Sequence, residues 1–109
     1  MEIQDAVTAL SALAHEKRLE IFRLLVPSGN DGISAGQIAE SLQVPKPTLS
    51  FHLKELERAN VVKSRREGRS IIYAISVEHF RELMAYLAED CCAGRDELCL
   101  PPIGTNEGC

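Results

Sequence analysis

The sequence predicts a mainly α-helical fold that carries one β-hairpin, an α+β arrangement. Apolar residues recur every three to four positions through most of the chain, the spacing of amphipathic helices. The stretch VVKSRREGRSIIYAI (61–75) is instead rich in β-branched residues and has a glycine near its middle, as a hairpin does. Two helices separated by a tight turn precede this hairpin. The predicted order α-α-α-α-β-β-α is that of a winged helix-turn-helix.

The first two helices are predicted from apolar periodicity. In residues 3–14 the apolar side chains follow a helical spacing; they are Ile3, Ala6, Val7, Leu10 and Leu13. A second apolar run covers residues 19–25 and stops at Pro27, because proline does not continue a helix. The loop PSGNDG, which is dense in turn-forming residues, follows it.

The next two helices have clear start signals. Ser34 and Gln37 have capping-box spacing at the head of SAGQIAESL (34–42). Pro47 suits the first turn of the following helix, since the N–H that it lacks would have no partner there. That helix is predicted to run to about residue 60. Its apolar face is formed by Leu49, Leu53 and Leu56.

The hairpin and a last helix complete the predicted domain. Gly68 supplies the tight turn between the two strands. A helix begins at about Ser76, and its apolar stripe consists of Val77, Phe80, Met84, Leu87 and Cys91. We predict that residues 1–92 form the winged helix-turn-helix domain, followed by a Pro- and Gly-rich, cysteine-containing tail at 93–109.

Composition narrows the class of protein. The chain has 109 residues, 45% of them hydrophobic and 26% charged, which predicts one globular domain for which a partner subunit would add stability. Its apolar runs are too short to cross a bilayer, so no membrane association is expected. The acidic N-terminus MEIQDAV is unlike a signal peptide. A cytoplasmic location with reduced thiols is therefore expected.

The net charge of −4 conceals an asymmetry. Residues 46–69 contain seven basic and three acidic residues, whereas the rest of the chain has five basic and thirteen acidic residues. A local basic segment in an acidic protein is typical of a nucleic-acid-binding surface.

The basic segment contains the candidate DNA-binding residues. They lie on the outer face of the second helix of the helix-turn-helix and at the hairpin tip: Lys46, Pro47, Thr48, Ser50, Phe51, Lys54, Arg65, Arg66 and Arg69. A helix of this kind fits the major groove, and the arginines suit phosphates or a minor groove. The alternative is that these charges only solvate the surface. Phe51 contacts either a thymine methyl or the hairpin.

The three histidines are not assigned to a metal site. His52 faces the apolar side of its helix and is predicted to pack and to form a hydrogen bond. His15 and His79 each stand alone at a predicted helix start.

Three segments resemble the ArsR/SmtB metalloregulators: LAHEKRLEIFRLL (13–25), TLSFHLKELERANVV (48–62) and REGRSIIYAIS (66–76). The resemblance covers roughly residues 10–99. It implies a homodimeric winged-helix repressor of bacteria or archaea that binds double-stranded operator DNA, with a dimer built mainly from the first and last helices. At Phe51 a polar residue is more usual in the family.

Members of that family place their effector sites differently. The helix SAGQIAESL lacks the cysteine cluster of one arsenic or cadmium type. The last helix offers Glu78, His79 and Glu82, without the H-x-x-H pair of one zinc type. The remaining candidate is the trio Cys91, Cys92 and Cys99, which resembles arsenite-responsive members with a C-terminal vicinal cysteine pair and a third cysteine.

Thiol chemistry keeps two kinds of ion open. Thiolates select thiophilic ions. Trivalent arsenic or antimony bonds to three sulfurs, which Cys91, Cys92 and Cys99 supply, and As(III) is therefore the expected inducer, with no organic cofactor. Zinc or cadmium would take Cys109 as a fourth ligand. A thiol redox response and incidental cysteines are further alternatives.

The vicinal pair also suggests how an effector would act. Adjacent helical residues diverge by roughly 100°, so binding by both Cys91 and Cys92 requires the helix to end or unwind there. The hypothesis is that arsenite capture disfavours the spacing that lets a dimer bind operator half-sites about 10 bp apart. No enzyme is expected, because the sequence has no C-x-x-C, no Gly-rich phosphate loop and no Cys–His–acid set.

Overall fold

The computed structural model describes residues 1–88, which form five α-helices and a three-stranded antiparallel sheet. In chain order the elements are α1 (Ile3–Leu13), α2 (Glu16–Leu25), a 3-10 turn (Val26–Ser28), β1 (Ile33–Ser34), α3 (Ala35–Leu42), α4 (Lys46–Arg58), β2 (Val62–Glu67), β3 (Ser70–Ile75) and α5 (Val77–Ala88). The winged helix-turn-helix prediction is confirmed. We call α4 the recognition helix and the β2–β3 hairpin the wing.

The predicted helix starts are confirmed in their local chemistry. The backbone N–H of Gln37 donates to Ser34 Oγ at 3.2 Å, and the Ser34 N–H donates to Gln37 Oε1 at 3.4 Å, which closes the capping box of α3. Pro47 lies in the first turn of α4. Between the two helices Gln43 has a left-handed φ of 53°, which ends α3 abruptly and lets the chain reverse.

The core lies where the recognition helix meets α2, α3 and the sheet. The predicted apolar face of α4 is confirmed, since Leu49, Leu53 and Leu56 are all buried. The other large side chains that are almost fully buried are Ile21, Leu25, Ile38 and Val62. Burial of this face fixes which side of α4 is turned to solvent.

The sequence pattern did not predict strand β1. This strand has only two residues, and it pairs with β3 through Ile33 opposite Tyr73 and Ser34 opposite Ile72. Two residues are too few to show the period of a strand. The approach to β3 requires glycine at position 32, because a Cβ there would lie 2.5 Å from the Tyr73 carbonyl oxygen.

Helix α1 buries its alanines and exposes three of its large apolar residues, while Leu13 is partly buried. Ala6, Ala9 and Ala12 face the core, whereas Ile3 and Val7 are 65% and 54% exposed. Leu10 is exposed as well. We call Ile3, Val7 and Leu10 the α1 apolar face.

Helix α5 packs against the core through a residue that the predicted stripe omits. Leu83 is buried, Phe80 is partly buried, and Leu87 is exposed. Cys91, the last member of the stripe, lies outside the described residues, as do the predicted boundary at residues 92/93 and Cys92, Cys99 and Cys109. Within residues 1–88, no helix has the length and apolar character needed to cross a membrane.

Candidate nucleic-acid interface

The outer face of the recognition helix presents the predicted residues together. Lys46, Pro47, Thr48, Ser50, Phe51 and Lys54 are all exposed, while the opposite face of the helix is buried. Hydroxyl and ammonium groups on one exposed helix face can reach both phosphates and base edges. The predicted clustering of these side chains on one surface is therefore observed.

The wing carries two exposed arginines at its tip. Strands β2 and β3 pair up to Glu67 and Ser70, so the loop between them consists of Gly68 and Arg69. Gly68 has a φ of 63°, which suits the first position of a two-residue hairpin loop. Arg66 and Arg69 are exposed, and Arg66 Nε donates to the Gly68 carbonyl oxygen at 3.3 Å.

Arg65 has partners within the protein. Its Nη1 donates to the Asn30 carbonyl oxygen at 3.1 Å and its Nη2 to the Asp31 carbonyl oxygen at 2.6 Å, while Nε pairs with Glu67 Oε2 at 2.6 Å. Lys63 Nζ adds a bond to Asn30 Oδ1 at 3.2 Å. Arg65 therefore ties the wing to the loop before β1. The sequence pattern indicated its charge but not this structural role.

The wing is also tied to the recognition helix. Ser64 Oγ in β2 donates to Glu57 Oε2 in α4 at 2.7 Å. Burial raises the pKa of Tyr73, and the negative charge of Glu57 raises it further, so the phenol stays neutral. The hydrogen bond between Ser64 and Glu57 therefore joins strand β2 of the wing to the recognition helix.

His52 joins the recognition helix to α2, as a packing and hydrogen-bonding residue. It is buried, and its Nδ1 accepts a hydrogen bond from Arg18 Nε at 3.1 Å, which confirms the prediction for this residue. Burial lowers the pKa of His52, and the charges of His15, Arg18 and Lys17 lower it further. The imidazole is therefore neutral at neutral pH and keeps the lone pair that Arg18 requires.

Phe51 is exposed beside this pair. Its side chain is 57% exposed, and the Arg18 guanidinium lies over the ring, with Cζ 5.6 Å from the centroid. The ring also meets His52 edge-on at a centroid distance of 5.7 Å. These contacts place the ring on the α2 side of the recognition helix, and within residues 1–88 no contact supports the alternative in which it folds against the hairpin.

We expect the stability of the fold to depend on pH through His52. The lowered pKa means that the unfolded chain binds a proton at His52 more readily than the folded one does. The contribution to stability is therefore fully present above about pH 6.5, the ordinary histidine value, and is lost as the pH falls through the lower folded-state value.

Urea unfolding at about pH 7.5, about pH 6.5 and about pH 5.5, a range that spans the ordinary histidine pKa, measures this dependence in the wild type and in His52→Gln. The glutamine keeps an acceptor for Arg18 but does not titrate, so the wild type should lose more stability on acidification than the variant. Parallel curves for the wild type and His52→Gln would contradict the assignment.

The other two histidines lie at the starts of α2 and α5, and His79 Nε2 is buried without a hydrogen-bond partner among residues 1–88. His15 caps α2, because its Nδ1 accepts from the Lys17 backbone N–H at 3.2 Å. His79 Nδ1 lies 3.9 Å from Glu82 Oε1. No group of three metal-ligating side chains occurs in residues 1–88. The thiols that the sequence singles out all lie outside that range.

An exposed polar helix beside a basic hairpin defines the class of winged helix-turn-helix proteins that place one helix in the major groove. Comparison with known proteins agrees with this class. A family model described as a helix-turn-helix domain matches residues 13–65. The HTH-type transcriptional repressor SmtB of Mycobacterium tuberculosis is 34% identical over 94 residues, covering 82% of this chain and 67% of the relative.

Two solved structures share the fold. An ArsR-like transcriptional regulator from Rhodococcus sp. RHA1 has a TM-score of 0.70 at 27% identity, with coverage of 84% of this chain and 82% of that chain. The homodimeric winged helix-turn-helix DNA-binding domain of a possible ArsR-family regulator from Mycobacterium bovis has a TM-score of 0.65 at 25% identity, with coverage of 79% and 78%. The chain belongs to the ArsR/SmtB family of winged-helix transcriptional regulators.

Proposed function

We propose that this protein is a homodimeric repressor that binds double-stranded operator DNA and releases it when Cys91, Cys92 and Cys99 capture trivalent arsenic or antimony. The observation that carries the DNA-binding part is the joint exposure of the α4 face and the wing arginines on a basic segment of an acidic chain. The acidic residues outside this segment repel DNA from the other faces of the protein. The electrostatic field of the protein therefore orients it on the duplex.

The α1 apolar face supports the dimer. Three large apolar side chains on one exposed helix face are costly to leave in water, and a second copy of the chain can cover them. The related domain from Mycobacterium bovis is itself homodimeric. A dimer would present two recognition helices, which suits a palindromic operator.

The donor set supports the choice of effector. Three thiolates suit an ion that bonds to three sulfurs and keeps a lone pair, whereas zinc or cadmium prefers four ligands and would recruit Cys109. Cys91 follows the last described residue of α5 by three positions. Capture there would pull on the helix whose exposed Leu87 we place at the dimer interface, and so alter the spacing of the two recognition helices.

The zinc or cadmium response and the thiol redox response remain the alternatives for the same cysteines. Zinc-dependent release that is lost in Cys109→Ser would favour the first. Release by an oxidant that a reductant reverses, with no response to either ion, would favour the second.

The test measures operator binding by fluorescence anisotropy under reducing conditions, with an operator selected from random DNA. Titration with arsenite should lower the affinity of the wild type by about 150-fold, which corresponds to a coupling free energy of about 3 kcal/mol. The triple variant Cys91→Ser, Cys92→Ser, Cys99→Ser should bind the operator normally and ignore arsenite. Cys109→Ser is the matched control and should respond like the wild type.

Two outcomes would contradict parts of this proposal. Loss of DNA binding in the triple variant without any effector would mean that the cysteines are structural. Release by zinc alone would leave the regulator but change its signal.

A further inference from the structure

We propose that Phe51 reads a thymine methyl group in the major groove and that Arg18 is the positioning residue that holds its ring. This inference rests on the proposed DNA binding by α4 and specifies how that surface distinguishes one base from another. It concerns the one exposed aromatic side chain on the outer face of the recognition helix.

The chemistry of the position favours an apolar contact. Phe51 lies between Ser50 and Lys54 on the outer face of α4, and it has no polar atom to pair with the donors and acceptors of a base edge. In the major groove the apolar group that distinguishes one base is the C5 methyl of thymine. Cationic neighbours such as Lys46 and Lys54 suit a polyanionic partner rather than an apolar protein surface.

The ring is held in place before DNA arrives. The guanidinium of Arg18 lies over it at 5.6 Å from the centroid, within the range of a cation–π contact. The guanidinium is itself fixed, since Arg18 Nε donates to the buried His52 Nδ1 at 3.1 Å. The linked contacts of Phe51, Arg18 and His52 restrict the rotamers of the ring in the free protein. The ring therefore loses less conformational entropy when DNA binds.

Arg18 is well suited to this task and poorly replaced. It is partly buried on α2, far from Phe51 in the sequence, and it contacts the recognition helix through both its planar face and its Nε. Lysine has neither the planar group nor that donor. The arginine therefore acts on DNA recognition through the ring of Phe51.

The experiment uses the full-length protein and begins with selection of its preferred site from random DNA. Each thymine of the selected half-site is then replaced with deoxyuridine, which lacks only the C5 methyl. Deoxyuridine at one particular thymine of one half-site should lower the affinity of the wild type about fourfold. The same replacement in both half-sites should lower it about fifteenfold, as expected when one buried methyl group is removed from each half-site. Phe51→Ala should bind the thymine and deoxyuridine sites equally well.

Arg18→Gln tests the positioning role. It should reduce the ratio of affinities for the thymine site and the deoxyuridine site towards one. Its affinity for unrelated DNA should match that of Arg23→Gln, which removes the same charge from an exposed position of α2. Arg18→Lys keeps the charge and should also lose the ratio. Circular dichroism and urea unfolding identify which variants are folded. If Arg18→Gln is unfolded, the test of the positioning role relies on Arg18→Lys.

The outcomes separate the two levels of the argument. Failure to select any sequence would overturn the proposed DNA binding. A selected site without a methyl-sensitive thymine, or with equal sensitivity in Phe51→Ala, would overturn the role of Phe51 and leave the proposed function intact. A folded Arg18 variant that weakens all sequences alike and keeps the ratio would overturn the role of Arg18.

Discussion

Replacing Val7 with glutamate is expected to separate the dimer into monomers and to lower operator affinity at least about 100-fold, the gain that linking two binding modules provides. Val7 lies at the centre of the α1 apolar face and is 54% exposed. A carboxylate there would be buried against the partner without a compensating charge, which strongly disfavours association. The substitution leaves the core of the protomer untouched, because the buried residues of α1 are its alanines.

Sedimentation velocity gives the association state, and anisotropy with the operator gives the affinity. Gln4→Glu is the matched control, since it adds the same charge to an exposed polar position of the same helix. The control should remain dimeric and bind normally. A Val7→Glu protein that is still dimeric would show that the subunits meet elsewhere.

The double variant Arg66→Gln, Arg69→Gln is expected to bind the operator on the order of 10³-fold more weakly at about 0.15 M salt, because the dimer would then neutralise about four fewer phosphates. Both side chains are exposed at the tip of the wing, where their charges are free to meet phosphates. The slope of log affinity against log salt should become less steep by roughly 3.6, because each neutralised phosphate contributes about 0.9.

Anisotropy titrations from about 0.05 to about 0.4 M salt, a range in which phosphate binding weakens steeply, provide the slope. The double variant Arg23→Gln, Arg81→Gln removes the same charge from exposed positions of α2 and α5, and its slope should match that of the wild type. If both double variants lowered the slope equally, the wing would contribute only to net charge. We would then withdraw its assignment as a phosphate-binding element.

Elements with local signals were predictable from the sequence. The capping box at Ser34, the leucines of α4 and the glycine of the wing each act within a few residues, and each was observed. Strand β1 was not predictable, since it exists only because β3 passes beside Gly32. Its pairing is a tertiary effect that no window of the sequence contains.

The candidate site was predictable in its composition but not in its connections. The exposed cations followed from periodicity and charge. The bond from Arg65 to Asn30 spans 35 residues and that from Arg18 to His52 spans 34, so neither leaves a local pattern. In α1 the predicted stripe contained Ala6 and several large side chains but omitted the buried Ala9 and Ala12, because only packing decides which apolar residues face the core. The role of the cysteines stays a prediction.

The hydrogen bonds of Arg65 and Ser64 have a consequence for regulation. They join the wing, the loop before β1 and the recognition helix into one unit in each protomer. These hydrogen bonds oppose bending within the unit. A signal from the far end of the chain would therefore change the internal shape of the unit very little. What remains adjustable is the distance and angle between two copies. The repressor would then bind the duplex only when the spacing and angle between its two protomers allow both recognition helices to enter the major groove at once.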